Sequence, residues 1–290
     1  MGRPGFPKLV FLFTISFFFF ARPATAAEVD IIPDVVYGHK DGLAMTMDVI
    51  KPKTNANGAA VLYMVSGGWV SSWTPPAQTA TRFQALLDKG FTVIAVRHGS
   101  SPKYFIPEIV SDVRRAVRFV RFNAKQWDID ANRLGVHGGS AGGHLSLMLA
   151  TASDNGDPAA SEPFMRESDR VASVVAYYPP VDLRMMARGD VPVREGQRFP
   201  ALNFDRTKAP DYSPLLFVTK DDPPALLIHG DADMLVNISH SQRMFKALQD
   251  SGVKSDFITL PGAGHGFRGE DLVKANAAMV QWFEQTLGKK

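Results

Sequence analysis

Apolar residues recur along the chain at two spacings. Short apolar, β-rich runs at residues 59–65, 91–96, 133–137, 171–177, 225–229 and 254–260 show little polar alternation, as expected of strands buried on both faces. Longer stretches at 79–89, 107–124, 141–151, 239–251 and 270–287 carry apolar residues at helical spacing. Strands and helices in succession predict an α/β fold, a mostly parallel sheet with helices on both faces. Two earlier runs, 34–37 and 45–50, have no helix between them and predict an antiparallel hairpin at the sheet edge.

Residues 182–224 interrupt the succession. They lack a clear period, are rich in Pro, Arg and Asp, and far exceed the few residues that usually join a strand to the next element. We read them as an irregular, cap-like insertion that walls a pocket, as loops on a rigid scaffold do. Phe199, Phe204 and Phe217 either pack over a ligand or anchor the segment to the body. Arg184, Arg188, Arg194, Arg198 and Arg206 read as a solvated face.

The start of the chain has a different character. Arg3 and Lys8 precede an apolar run at residues 9–20, and small residues follow up to Ala27, the layout of a secretory signal peptide. The run falls short of the roughly 20 residues that span a bilayer. We therefore expect residues 1–26 to be removed and residues 27–290 to form one secreted or periplasmic catalytic domain, with no stable membrane association. The chain has 32 basic and 29 acidic residues, and losing Arg3, Lys8 and Arg22 balances them. The remaining domain has no net basic field to attract nucleic acid. With no cysteine in the sequence, disulfides and thiol catalysis are excluded, and a domain of this size has core enough without them. No group of residues has metal-ligand spacing and no glycine run leads into the Lys-Ser or Lys-Thr of a phosphate loop, so neither a metal nor another cofactor is expected. Nothing in the pattern speaks to oligomeric state.

Gly138-Gly139-Ser140-Ala141-Gly142 fits the G-x-S-x-G turn that lifts a serine hydroxyl above a sheet. The pentapeptide alone is a weak signal, but the strand-like run 133–137 leads into it and the helix-like run 144–150 leads out. A free serine is a poor nucleophile and needs a base and an acid that orients the base. Asp231 and Asp233 follow the strand at 225–229, and His265 follows the one at 254–260. Ligands of an open parallel sheet bind beyond the carboxyl ends of its strands, which sets Ser140, the aspartates and His265 on one rim. Turn chemistry suits Asp231 as the residue that caps the turn and Asp233 as the acid. His137, His144 and His229 read as hydrogen-bonded structural histidines. A carbonyl under attack becomes an oxyanion, which backbone N–H groups fixed in advance must stabilise. Ala141, next after the serine, offers one, and Gly67 and Gly68 in the loop after the run 59–65 offer others.

With these residues in place, the chain from about residue 34 to 287 resembles the α/β-hydrolase esterases of the hormone-sensitive-lipase and carbohydrate-esterase type. It is most similar to the bacterial group typified by bifunctional feruloyl and acetyl-xylan esterases. Gly67-Gly68-Trp69, the stretch from Asp112 to Arg118, Gly138 to Leu145, Ser213-Pro214, Asp221 to Pro224, His229 to Asp233 and Gly264-His265-Gly266-Phe267 carry the resemblance. It implies Ser140, Asp233 and His265 as the catalytic triad. One departure is plain: the family usually has His-Gly-Gly-Gly-Trp in the oxyanion loop, where this chain reads Val65-Ser66-Gly67-Gly68-Trp69.

Trp69 and Trp73 follow that loop, either to stack on a substrate's sugar or feruloyl ring or to fill a gap in the core. The expected substrate is a carboxylic ester, with acetyl or feruloyl groups on a polysaccharide as the likeness implies. Two other readings stand beside it. One is a secreted serine peptidase of the prolyl-oligopeptidase type, which normally carries a large additional domain, and the other is a catalytically silent binding protein on the same fold.

Overall fold

The computed structural model describes residues 1–2, 26–189 and 197–288. The expected leader falls almost wholly outside these residues, as does Arg194.

Among the described residues eight strands form one sheet: β1 (Val29–Lys40), β2 (Leu43–Pro52), β3 (Ala60–Met64), β4 (Thr92–Val96), β5 (Leu134–Gly139), β6 (Ser173–Tyr177), β7 (Ala225–Gly230) and β8 (Ser255–Leu260). Their order across the sheet is β1-β2-β4-β3-β5-β6-β7-β8. β2 runs antiparallel to both β1 and β4, and the pairings from β4 to β8 are parallel. This is the α/β-hydrolase fold, with the hairpin at one edge as the pattern predicts. β1 is longer than the run 34–37 because its apolar signal is diluted: it is an edge strand with many exposed positions. Pro33 and Asp34 fall where its register with β2 slips, a place an edge strand tolerates.

Among the described residues six helices cover the sheet: α1 (Pro76–Arg82), α2 (Gln84–Asp88), α3 (Ile106–Asn123), α4 (Ala141–Thr151), α5 (Ser239–Asp250) and α6 (Gly269–Leu287). The core has two halves, and successive strand residues feed them alternately. Val174 and Ala176 of β6 pack with α3, α4 and α5, whereas Val175 and Tyr177 pack with α1, α2 and α6. This period of two, apolar on both sides, produces the unbroken apolar runs seen in the sequence. The helix expected at 79–89 is broken at Phe83, which leaves helical geometry at φ −107° and ψ 19° and buries its ring against Tyr63 at 4.8 Å.

The described part of residues 182–224 is not a separate lid. It consists of short 3-10 turns at Pro200–Leu202, Arg206–Tyr212 and Pro214–Phe217. Leu183, Ala201, Leu202, Phe204 and Ala209 are buried in the same core half as α3 and α4. Anchoring to the body is thus what its aromatics do, with Phe204 edge-on to Tyr212 at 5.8 Å.

Candidate active site

β5 enters α4 through one residue, Ser140, whose backbone sits at φ 54° and ψ −120°. A side chain is uncomfortable there, at about 1–3 kcal/mol, so the surroundings must hold it. The Ser140 N–H donates to the Tyr177 carbonyl and its own carbonyl accepts from the His144 N–H, each at 2.9 Å. The flanking glycines are sterically required. A β-carbon on Gly138 would lie 2.4 Å from the Gly142 carbonyl, and one on Gly142 would lie 2.7 Å from the Met64 carbonyl oxygen. The turn is therefore pressed against the end of β3, where the glycine-bearing loop begins.

The ends of β7 and β8 bring Asp233 and His265 to the same rim. The Ser140 hydroxyl donates to His265 Nε2 at 2.9 Å, and His265 Nδ1–H donates to Asp233 Oδ2 at 2.7 Å. Asp233 Oδ1 accepts from the N–H groups of Leu235 at 2.8 Å and Val236 at 2.9 Å. Burial pushes this carboxyl up, but the Val236 N–H, His265 and the Leu235 N–H together outweigh it and hold the group below its ordinary range. An ionised Asp233 fixes the imidazole tautomer, leaving the Nε2 lone pair facing the serine. A base aimed at a nucleophile and oriented by an acid is the arrangement that acyl transfer needs.

Asp231 stands apart from this line. Its Oδ1 accepts from the Gly262 N–H at 2.6 Å, tying the loop after β7 to the loop after β8. The other histidines have structural partners. His137 Nδ1 bonds the Val175 carbonyl at 3.1 Å, and His144 Nε2 bonds the Tyr212 carbonyl at 2.8 Å. His229 bonds the Ser241 hydroxyl and the Val236 carbonyl, both at 2.8 Å. Its Nε2 also lies 3.2 Å from Asp233 Oδ2, a support for the acid that the sequence left unseen. Tyr178 was also missed: its ring packs 4.6 Å from the His265 ring and edge-on to Phe267 at 4.7 Å. Only its place at the end of β6 could have marked it.

Two expectations need correction. The Gly67 N–H is not free for an oxyanion, because it donates to the Val70 carbonyl at 2.9 Å while the Val70 N–H returns a bond to Gly67 at 3.0 Å. These bonds close a tight turn whose central residues, Gly68 and Trp69, both have positive φ, 58° and 62°, as in the type I′ turn. The N–H groups of Gly68 and Ala141 have no partner among the described residues. Trp69, in turn, offers no surface to a substrate. It is 3% exposed, its indole N–H donates to His144 Nδ1 at 3.3 Å, and its ring meets Phe199 edge-on. Its backbone turn directs it into the core. Trp73 is the opposite case, 61% exposed at a cavity of about 380 Å³ that it lines with Ser71, Lys40, Arg97, Lys103 and Tyr104. Among the described residues no group of side chains could hold a metal ion, and no helix is long and apolar enough to cross a membrane.

Against known proteins, the BD-FAE family model matches residues 47–248. That span contains Ser140 and Asp233 and stops before His265. The chain is similar to esterase LipC of Mycobacterium tuberculosis, 30% identical over 80% of this chain and 59% of the relative. It is similar also to an ethyl acetate hydrolase of Pseudomonas putida, 28% identical over 89% of this chain and 83% of that one. It spans less than two thirds of the length of the mycobacterial esterases it matches. Among solved structures, a truncated carbohydrate esterase from gut microbiota superposes with a TM-score of 0.74 at 27% identity, covering 92% of this chain and 99% of that one.

Proposed function

The chain belongs to the BD-FAE family, and from that premise we propose that it is a serine esterase that hydrolyses carboxylic esters through an acyl-enzyme. The observation that carries this reading is the unbroken hydrogen-bonded line from the Ser140 hydroxyl through His265 to Asp233.

In the proposed reaction, Ser140 Oγ attacks the ester carbonyl carbon while His265 Nε2 takes its proton. The tetrahedral oxyanion is met by the N–H groups of Gly68 and Ala141. Collapse breaks the bond to the alcohol oxygen, which receives the proton from His265, and leaves an acyl group on Ser140. Water attacks in turn, giving up a proton to His265, and the acid leaves as Ser140 recovers its hydrogen. Asp233 stays ionised throughout and stabilises the imidazolium.

The proposed substrates are acetyl or feruloyl esters of polysaccharides, met outside the cell after loss of residues 1–26. The likeness to a carbohydrate esterase supports the substrate, and the basic, apolar and small-residue order of the first 26 residues supports export. The exposed Trp73 is the proposed platform for a sugar or aromatic ring.

A fluorophosphonate probe, followed by p-nitrophenyl esters, acetylated xylan, methyl ferulate and aminoacyl anilides, tests the reading. The wild-type protein is expected to label and to cleave the esters. Ser140→Ala should abolish labelling and reduce turnover by on the order of 10⁶-fold. A probe that still labels the variant, or turnover of the anilides in preference to the esters, would overturn it.

A further inference from the structure

The loop Val65-Ser66-Gly67-Gly68-Trp69 carries no histidine of its own, and an imidazole from another part of the chain reaches it. His98, just beyond β4, is buried, at 6% exposure. Its Nδ1 lies 2.8 Å from the Gly99 carbonyl, and its Nε2 lies 2.8 Å from the Ser66 hydroxyl. A carbonyl can only accept, so the proton is on Nδ1. Burial pushes the imidazole down to about 4, so at neutral pH Nε2 is a bare lone pair and the Ser66 hydroxyl must donate to it. Both ring nitrogens and the serine proton are thereby assigned.

The bond acts at a sensitive point. Ser66 directly precedes the Gly67–Val70 turn that carries the Gly68 N–H, and the Ser66 carbonyl lies 3.4 Å from where a β-carbon on Gly142 would be. Rotation at Ser66 would therefore move the turn relative to Ser140. His98 itself is well held. The Gly99 N–H donates to Asp112 Oδ2 at 2.9 Å, and Asp112 on α3 is paired with Lys40 at 2.9 Å. The same two loops are laced by Val65 N–H to the Val96 carbonyl at 3.0 Å and Ser101 N–H to the Trp69 carbonyl at 3.2 Å. They are joined again by Ser71 N–H to the Ser100 hydroxyl at 2.9 Å.

We propose that His98 and Ser66 are a positioning pair that fixes the oxyanion turn from the end of β4. This rests on the ester-hydrolase reading, since a turn needs fixing for catalysis only if an oxyanion forms beside it. The pair touches no reacting atom and acts through the placement of the Gly68 N–H.

The test compares His98→Gln, His98→Asn and Ser66→Ala with the wild-type enzyme on p-nitrophenyl acetate. Glutamine places an acceptor at the reach of Nε2, whereas asparagine reaches only as far as Nδ1. Ser66→Ala and His98→Asn should each lower kcat by about 10- to 100-fold with KM nearly unchanged, as for a misplacement of about 1 Å at the reacting centre. The double variant should lose no more than the worse single one. His98→Gln should stay within about threefold of wild type, one neutral hydrogen bond replacing another. Hydrogen exchange followed by mass spectrometry reads the same pair without catalysis: peptides covering residues 65–71 should exchange faster in Ser66→Ala and His98→Asn and not in His98→Gln. Equal kcat for the Gln and Asn variants, or unchanged exchange at 65–71 in both disrupting variants, would overturn the proposal. A wild-type protein inert toward every ester would instead overturn the esterase reading, with the exchange result still deciding whether the pair holds the turn.

Discussion

Asp231 accepts the Gly262 N–H at 2.6 Å, which ties the loop after β7 to the loop after β8 close to where His265 must be held. Asp233, two residues further on, faces His265 instead. The two carboxylates therefore do different work. Asp233→Asn should leave the geometry in place but favour the wrong imidazole tautomer, lowering kcat by about 10³- to 10⁴-fold. Asp231→Asn keeps an acceptor for Gly262 and should stay within about threefold, one acceptor replacing another. Steady-state kinetics on p-nitrophenyl acetate decide between them, and equal losses would contradict the separation.

Acid stability follows from the buried imidazoles. Burial pushes His98, His137 and His144 down from 6.5 to about 4, 3 and 4. As pH falls through 6.5, the unfolded chain takes up protons that the folded chain refuses, so stability is lost progressively until the folded values are reached, near pH 4 for His98 and His144 and near pH 3 for His137. Near pH 5 unfolding should take up about three protons from these groups. Stabilities from urea titrations between pH 7 and 4.5 give the total uptake as a slope, to which His229 and His240, also pushed down by burial, add. His144→Gln, which keeps a donor for the Tyr212 carbonyl, should reduce it by about one, and an unchanged slope would mean that His144 is already protonated in the folded protein.

Such burial could be foreseen from the chain more readily than could the direction in which a side chain points. The strands were legible because apolar runs without alternation have few other uses, and the shared rim for Ser140, Asp233 and His265 follows once those strands are parallel. The orientation of the oxyanion loop was not legible. A tryptophan after two glycines reads the same whether it faces a pocket or the core, and only the positive φ at Trp69 settles which. Two glycines likewise look equivalent until one N–H is seen donating to Val70. The bond between Ser66 and His98 joins residues 32 apart in sequence, on separate loops, and no local pattern marks it.

The two tryptophans should separate cleanly. Trp69→Phe removes the donor to His144 Nδ1 and leaves a buried acceptor unpaired, lowering stability by about 1–3 kcal/mol. Trp73→Ala removes an exposed ring and should leave thermal stability nearly unchanged. If Trp73 is the platform for a sugar or feruloyl ring, its loss should raise KM for acetylated xylan or methyl ferulate by about 3- to 10-fold, the worth of one aromatic contact, while KM for p-nitrophenyl acetate stays put. A loss of stability in Trp73→Ala, or an equal rise in KM for both classes of ester, would count against that role.

Phe199 carries the last prediction, because it links the segment at 182–224 to the oxyanion turn. Its backbone is left-handed, at φ 58°, and its ring stands where a β-carbon on Gly68 would meet it at 3.0 Å. The same ring meets Trp69 edge-on at 6.2 Å. Phe199 thus backs Gly68, whose N–H is the proposed oxyanion donor, so the segment supports the turn from behind. Phe199→Ala should open a gap behind the turn and lower kcat on p-nitrophenyl acetate by about tenfold, because small displacements at the reacting centre are amplified in rate. Phe217→Ala, in the same segment but away from the turn, serves as the control for general loosening and should leave kcat nearly unaltered. If Phe199→Ala keeps its full kcat on the small ester and fails only on polymeric substrate, the segment selects substrates without steadying the turn.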